Sequence, residues 1–142
     1  MKISLCLVAL LFAPLPALAT TCVFEPLEQQ LENASVAFIA TILESRGPES
    51  FRGLQPGDEY RVSYRFEIQT ELKGSSSAVP SLFTRNSYHP IDSDLSFDGD
   101  ETRLLPGDNV LVMAKSPGES QVASCGPSRI WRPTSESLQT LR

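Results

Sequence analysis

Apolar and polar residues alternate most clearly between Tyr60 and Leu72, in the stretch YRVSYRFEIQTEL. In an extended chain every second side chain points to the same side. The apolar side carries Tyr60, Val62, Tyr64, Phe66, Ile68, Thr70 and Leu72. The polar side carries Arg61, Ser63, Arg65, Glu67, Gln69 and Glu71. The pattern predicts a long, half-buried strand with one solvated side, and its length indicates a strand that bends, as in a small barrel.

Four shorter apolar runs predict the remaining strands, and residues typical of turns separate them. They are Val36–Leu43, Ala78–Thr84, Asn109–Ala114 and Gln121–Cys125. Pro80 indicates that the second of these runs lies at a sheet edge or contains a bulge. Short helices are predicted near both ends of the domain, over Pro26–Glu32 and Glu136–Leu141. The class is therefore all-β, and a five-stranded Greek-key barrel of the OB type fits the strand count.

The beginning of the chain has the pattern of a signal peptide. Lys2 precedes the apolar run Ile3–Phe12, and Ala17-Leu18-Ala19 matches a cleavage site. This run is shorter than the roughly 20 apolar residues of a membrane span, and no other stretch of the sequence reaches that length. We therefore predict a signal peptide over residues 1–19 and one domain over residues 20–142, exported to the periplasm or secreted from the cell.

The net charge argues against some classes of binding partner, and the cysteine content indicates the redox compartment of the protein. The formal net charge is −5, which argues against non-specific binding to nucleic acids or anionic membranes. Cys6 lies in the predicted signal peptide, so Cys22 and Cys125 remain as an even pair in an exported chain. A disulfide between them is the favoured interpretation, because free thiols are rare in oxidising compartments.

Several of these segments occur in an order that resembles a known superfamily. They are Cys22, Ser35–Thr41, Tyr64–Gly74 with its Leu72-Lys73-Gly74 end, Leu105–Ala114 and Val122–Cys125. Together they resemble the netrin-module superfamily, which includes the tissue inhibitors of metalloproteinases (TIMPs), and in particular its small exported bacterial members. The resemblance implies an OB-type barrel with a terminal disulfide and without catalytic residues.

The resemblance leaves the function open between two alternatives. In TIMPs the first cysteine of a C-x-C pair lies at the mature N-terminus and chelates the zinc ion of the target peptidase. Here Thr20 and Thr21 precede Cys22 after the predicted cleavage, and Phe24 stands where the second cysteine would be. The first hypothesis is a binding module for an extracytoplasmic protein. The second is a metallopeptidase inhibitor that acts through Thr20, Thr21 and Cys22.

An acidic segment, Asp92–Glu101, adds a third hypothesis. It places oxygen ligands at alternate positions, as in the first half of an EF-hand loop, at Asp94, Ser96, Asp98 and Asp100. Leu105 occupies the position of the closing glutamate, so the segment is either a calcium site or a solvated acidic loop. Because OB folds often bind ligands on the barrel face, a calcium-dependent or oligosaccharide-binding module is the third alternative.

Catalysis is not indicated by the remaining motifs. His89 is the only histidine, and no G-x-S-x-G elbow, P-loop or dinucleotide fingerprint is present in the sequence. We therefore predict a protein that is not an enzyme, with calcium as the single candidate cofactor. Trp131 either packs the last segment onto the barrel or serves as an exposed binding anchor between Arg129 and Arg132. Function is expected to lie in the loops and the N-terminal segment.

Overall fold

The computed structural model of the chain describes residues 22–90, 103–133 and 135–141. Its strands are β1 (Val36–Arg46), β2 (Glu59–Lys73), β3 (Leu82–Ser87), β4 (Asn109–Ala114), β5 (Ser120–Gln121) and β6 (Arg129–Ile130). Its helices are α1 (Leu27–Asn33) and α2 (Ser135–Thr140), with a 3-10 turn at Ser76–Ala78. The prediction of a mostly β fold with a short helix near each end of the domain is confirmed. The predicted signal peptide lies outside the described residues.

All six strands form one curled sheet in the order β5-β3-β2-β1-β4-β6, with the shape of a half-barrel. Neighbouring strands are antiparallel except β3 and β5, which are parallel. An isolated bridge between Val122 and Ser128 connects the segments that follow β5 and precede β6. The two outer strands of the sheet are therefore drawn towards each other.

Strand β1 continues to Arg46 instead of ending at Leu43, β2 is one residue longer at each end than predicted, and larger differences occur at β3 and β5. The run predicted to begin at Ala78 becomes a strand at Leu82, because a 3-10 turn ends at Ala78 and Pro80 has no N–H group to donate to a neighbouring strand. The run predicted over Gln121–Cys125 contributes only the end of β5, while Arg129–Ile130 adds a sixth short strand.

The long alternating strand changes face near its end. Its pairing with β1 is irregular in three places: Gln69 and Leu72 are extra residues on β2, and Leu43 is an extra residue on β1. One extra residue reverses the side on which the following side chains lie. Tyr64 and Phe66 therefore pack in the larger core, whereas Leu72 packs in a second cluster on the outer side of the sheet. The prediction that all apolar residues of this strand share one face is wrong at Leu72. The predicted solvated residues are exposed, namely Arg61, Arg65, Glu67 and Glu71.

Strand β1 lies near the middle of the sheet and is buried on both sides. Phe38 and Ile42 belong to the larger inner core, and Ala37 belongs to the outer cluster. Helix α1 covers the outer cluster with Leu27 and Leu31, whose spacing of four residues places them on one side of the helix. Trp131 packs against the same cluster, which confirms the first of its two interpretations. The result is a helix held against the outside of the sheet, beside the N-terminal segment.

Candidate functional site

The N-terminal segment, Cys22–Glu25, is the most distinctive exposed part of the described chain. It belongs to no helix or strand, and its Val23 side chain is 94% exposed while that of Phe24 is 40% exposed. Water-exposed apolar side chains contribute binding energy when a partner covers them. Their contribution is larger when the backbone that carries them is already fixed, since less conformational freedom is lost on binding.

A disulfide fixes the start of this segment. The structure joins Cys22 to Cys125, with 5.3 Å between their Cα atoms, although 103 positions separate them in sequence. It thereby brings together the two cysteines that were predicted to pair. The bond holds the N-terminal segment beside the loop that leads into β6.

One glutamine of α1 connects the segment to β6. The Gln30 side-chain amide donates a hydrogen bond to the carbonyl oxygen of Glu25, and its Oε1 accepts one from Nη1 of Arg129 at 2.8 Å. The Arg129 guanidinium in turn lies over the Phe24 ring, with 4.2 Å between its Cζ atom and the ring centroid. This distance is in the range of a cation–π interaction. The backbone and the aromatic side chain of the segment are thus both held in place.

Helix α1 is itself attached to the end of β2. The Lys73 ammonium donates hydrogen bonds to the carbonyl oxygens of Leu31 at 2.8 Å and Glu32 at 2.9 Å, at the end of the helix where carbonyls lack partners. The next residue, Gly74, has a φ of +64°, and a Cβ atom there would lie 2.4 Å from the Ser35 carbonyl oxygen. Only glycine fits this close approach. The Lys73-Gly74 pair therefore sets the position of α1 and, through Gln30, of the N-terminal segment.

The charge of Arg129 is not neutralised within the described chain. Burial lowers the pKa of its guanidinium, although an arginine stays protonated at physiological pH. The ion pairs of the described side chains use other arginines, and no carboxylate among the side chains described in residues 22–90, 103–133 and 138–141 lies within 4.0 Å of Arg129. A partly desolvated cation thus lies over the ring of Phe24, the residue that follows the exposed Val23 in sequence.

A second arginine lies over an aromatic ring on the opposite part of the sheet. The Arg61 guanidinium lies 3.8 Å from the centroid of Phe83 and 2.6 Å from a carboxylate oxygen of Glu119. Glu119 also accepts a hydrogen bond of 2.8 Å from the Ser81 hydroxyl. The hydrogen bonds from Arg61 and Ser81 lower the pKa of the Glu119 carboxyl group. This cluster fastens the start of β5 to β2 and β3.

Three aromatic residues, of which Phe51 is exposed and Tyr60 and Tyr88 are half-buried, form a further group where the loop before β2 meets the end of β3. Phe51 stacks on Tyr88 with 5.4 Å between ring centroids and meets Tyr60 edge-on at 5.1 Å. Phe51 is 43% exposed. An exposed aromatic ring of this kind is a candidate surface for a flat apolar ligand face.

Not every predicted site residue can be located. Thr20 and Thr21 lie outside the described residues, as do the predicted calcium ligands Asp94, Ser96, Asp98 and Asp100. Within the described ranges no group of three or more His, Cys, Asp or Glu residues is placed to hold a metal ion. Among the described helices, none combines the length and apolar character needed to cross a membrane.

Sequence reasoning overlooked Gln30 and treated Arg129 only as a neighbour of Trp131. Their side chains meet although 99 positions separate them. No local pattern signals such a contact, because only the docking of α1 beside β6 creates it. Comparison with models of known protein families and with curated proteins gives no match.

Proposed function

We propose that this protein is an exported, non-catalytic module that binds another protein through its N-terminal segment. The observation that supports the proposal is the exposed pair Val23 and Phe24 on a backbone held by a disulfide, by Gln30 and by Arg129. Preorganised apolar side chains of this kind are typical anchors of protein interfaces. Export agrees with the cysteine pair, since disulfides persist in oxidising compartments.

The proposal includes an OB-type barrel and membership of the TIMP-like superfamily. Three features of the sheet support it: β1, β2 and β3 form a consecutive antiparallel meander, β3 pairs in parallel with β5, and β1 pairs with β4. The bridge between Val122 and Ser128 supports closure of the sheet between its two outer strands. In such a barrel the terminal segments lie outside the closed core, where a partner can reach them.

Affinity capture from the exported fraction tests the protein-binding proposal. The bait is the full chain, compared with Val23→Asp and with Leu105→Asp as the matched control, because Leu105 is also an exposed apolar residue, at 66%. We expect Val23→Asp to lose a partner that the wild-type chain and Leu105→Asp both retain. Equal capture by all three baits would contradict a role for the N-terminal segment.

Inhibition of a metallopeptidase is the alternative use of the same segment. Its support is the presentation of an exposed segment directly after a disulfide-bonded cysteine, together with the resemblance to TIMPs. Sequencing the N-terminus of the mature protein separates the two alternatives. A mature chain that begins at Thr20 has no free amine on Cys22, which excludes zinc chelation by that residue. A chain that begins at Cys22 and inhibits a zinc peptidase would favour the inhibitor.

The aromatic group that contains the exposed Phe51 supports a second candidate function, oligosaccharide binding. Sugar rings stack their apolar faces on exposed aromatic side chains, and Phe51 offers such a surface. A glycan array probed with the wild-type chain and with Phe51→Ala tests it. Binding that the variant loses would support this function, and the absence of any bound glycan would remove it. Melting curves with and without millimolar calcium test the ion separately, since an unchanged midpoint would remove the calcium hypothesis.

A further inference from the structure

We propose that Arg129 and the N-terminal segment together form a receptor for a carboxylate of the partner, presented beside an apolar side chain that contacts Val23. The inference rests on the proposed function and specifies the chemistry of the partner. The recognised group is a carboxylate, either of an aspartate or glutamate side chain or of a free C-terminus. The neighbouring apolar side chain covers the exposed valine.

The hydrogen-bonding capacity of Arg129 is only partly used. Its Nη1 atom donates to Oε1 of Gln30 at 2.8 Å and to the carbonyl oxygen of Pro127 at 3.1 Å, and both acceptors are neutral. A guanidinium carries five N–H donors. Nε and Nη2 have no hydrogen-bond acceptor among the described residues. Two donor atoms and the full positive charge are therefore available to a ligand.

The contacts of Arg129 within the chain leave one edge of the guanidinium for a ligand. Its Cζ atom lies over the Phe24 ring, 4.2 Å from the centroid, and the hydrogen bonds use Nη1. A carboxylate binds arginine along an edge of the guanidinium plane, where two N–H groups point in parallel. The edge formed by Nε and Nη2 suits such a carboxylate. The ring also limits the rotation of the side chain, which lowers the entropy lost on binding.

Burial makes the missing counter-charge significant. Burial lowers the pKa of Arg129, which means that the protein disfavours the charged form at this position. A charge that is partly removed from water is costly unless an opposite charge compensates it. In the described part of the chain, Arg46, Arg61, Arg65 and Arg85 each have a carboxylate partner. A partner's carboxylate supplies the same compensation to Arg129.

Val23 determines which kind of side chain the ligand carries next to its carboxylate. It precedes Phe24 directly, is 94% exposed, and has a backbone that is fixed on one side by the disulfide. An apolar side chain close to the carboxylate covers it and also excludes water from the new ion pair, which strengthens that pair. Peptides with an apolar residue next to an acidic one, or with an apolar C-terminal residue, have this chemistry.

Selection from a random peptide library on the full, disulfide-bonded chain tests the inference. One library displays internal peptides and a second displays free C-termini, which distinguishes the two sources of the carboxylate. We expect enrichment of peptides that pair a carboxylate with a neighbouring apolar residue. The affinity of the best peptide is then measured by titration against the wild-type chain, Arg129→Met, Arg129→Lys and Arg52→Met. Arg52 is the matched control, because it is an exposed arginine in the loop before β2.

The expected loss in Arg129→Met is about 10- to 100-fold in affinity, the range for a hydrogen-bonded charge pair. Arg129→Lys retains part of the affinity because it keeps the charge, and Arg52→Met leaves the affinity unchanged. Replacing the selected carboxylate by its amide weakens binding to the wild-type chain but not to Arg129→Met. Circular dichroism and the melting midpoint of each variant separate lost binding from lost folding.

Three outcomes would overturn the inference: no enrichment, enrichment without acidic residues, or an affinity that Arg129→Met leaves unchanged. The protein-binding proposal fails separately. If Val23→Asp abolishes capture of the partner while Arg129→Met does not, the segment binds a protein but Arg129 recognises no carboxylate. If neither variant affects capture, the N-terminal segment is not the binding surface and both proposals fail.

Discussion

Among the described residues, Arg61 and Arg129 each lie over an aromatic ring, and of these two Arg61 alone has a described carboxylate beside it. Arg61 lies over Phe83 and is bound by Glu119 at 2.6 Å. Arg129 lies over Phe24, and its described acceptors are a neutral amide and a neutral carbonyl. The first cluster is electrostatically complete and holds β2, β3 and β5 together. The second includes Phe24, which follows the exposed Val23 in the N-terminal segment.

The difference between the two clusters indicates different roles. In the cluster of arginine, ring and carboxylate, the positive charge is compensated within the chain. This cluster therefore contributes to the free energy of unfolding. An incomplete cluster on a fixed, exposed segment is completed by a partner, so its contribution is to the free energy of binding. The two arginines can therefore be separated by what their loss changes.

Loss of the disulfide, which fixes the segment on the Arg129 side of the comparison, is expected to have the largest effect. In Cys22→Ser/Cys125→Ser, the unfolded chain gains the freedom of a loop of 103 residues. The chain-entropy relation gives a loss of about 4.7 kcal/mol in the free energy of unfolding. Urea denaturation measures it. A loss below about 1 kcal/mol would show that the bond contributes little to the stability of the fold.

The position of Gly74 is expected to have the next largest effect. In Gly74→Ala, the new Cβ atom meets the Ser35 carbonyl oxygen in a left-handed backbone conformation, so we expect a loss of about 2 kcal/mol or more. Gly53→Ala is the control, since its φ is +91° and nothing lies within 4 Å of a Cβ there. Gly53→Ala should reduce the free energy of unfolding only by the cost of placing alanine in a left-handed backbone conformation, about 1 kcal/mol. Equal losses would mean that the approach of Ser35 to the end of β2 is not tight.

Removing each arginine separately sharpens the comparison. Arg61→Met leaves the Glu119 carboxylate without its strongest partner, so the urea midpoint should fall, though by less than in Gly74→Ala. Arg129→Met removes a charge that has no counter-charge in the described chain, so the midpoint should change less than in Arg61→Met. A larger fall in Arg129→Met would show that Arg129 serves the fold rather than binding.

The pH dependence of stability is expected to be the smallest effect. The pKa of Glu119 is lowered from 4.5 by hydrogen bonds from Arg61 and Ser81. A group whose pKa is lower in the folded state stabilises the fold above its unfolded pKa, and this contribution is lost as the pH falls through the folded value. The difference in urea midpoint between the wild-type chain and Glu119→Gln should therefore shrink as the pH falls below about 4.5. A difference that is constant with pH would contradict the ionic role of Glu119.

The local pattern of apolar, branched and turn residues was sufficient to predict much of the fold. The alternation from Tyr60 to Phe66, the branched run of β1 and the turn residues around β4 each specify a strand through nearby residues alone. The face change at Leu72 was not predictable, because Leu72 continues the alternation in sequence and only the pairing with β1 shows the extra residues. The start of β3 was shifted for a similar reason, as the residues before Pro80 are compatible with a strand but form a 3-10 turn.

The candidate site was predictable only in part. The pairing of Cys22 with Cys125 followed from their number and from the signal peptide pattern. The contact between Gln30 and Arg129 did not, because it depends on helix α1 lying across the outside of the sheet next to β6. The capping of that helix by Lys73 is equally remote, at 42 positions from Leu31. Long-range polar contacts of this kind have no periodic signature in a sequence.

The distance between the two cysteines along the chain determines how late during synthesis the disulfide can form. Synthesis runs from the N-terminus at roughly 5–20 residues per second, so Cys22 is made several seconds before Cys125. Its thiol has no bonding partner until almost the entire domain has been synthesised. The segment that carries Val23 and Phe24 is therefore among the first parts of the domain to be made and among the last to be locked in place. A partner that recognises the locked form cannot engage a half-made chain.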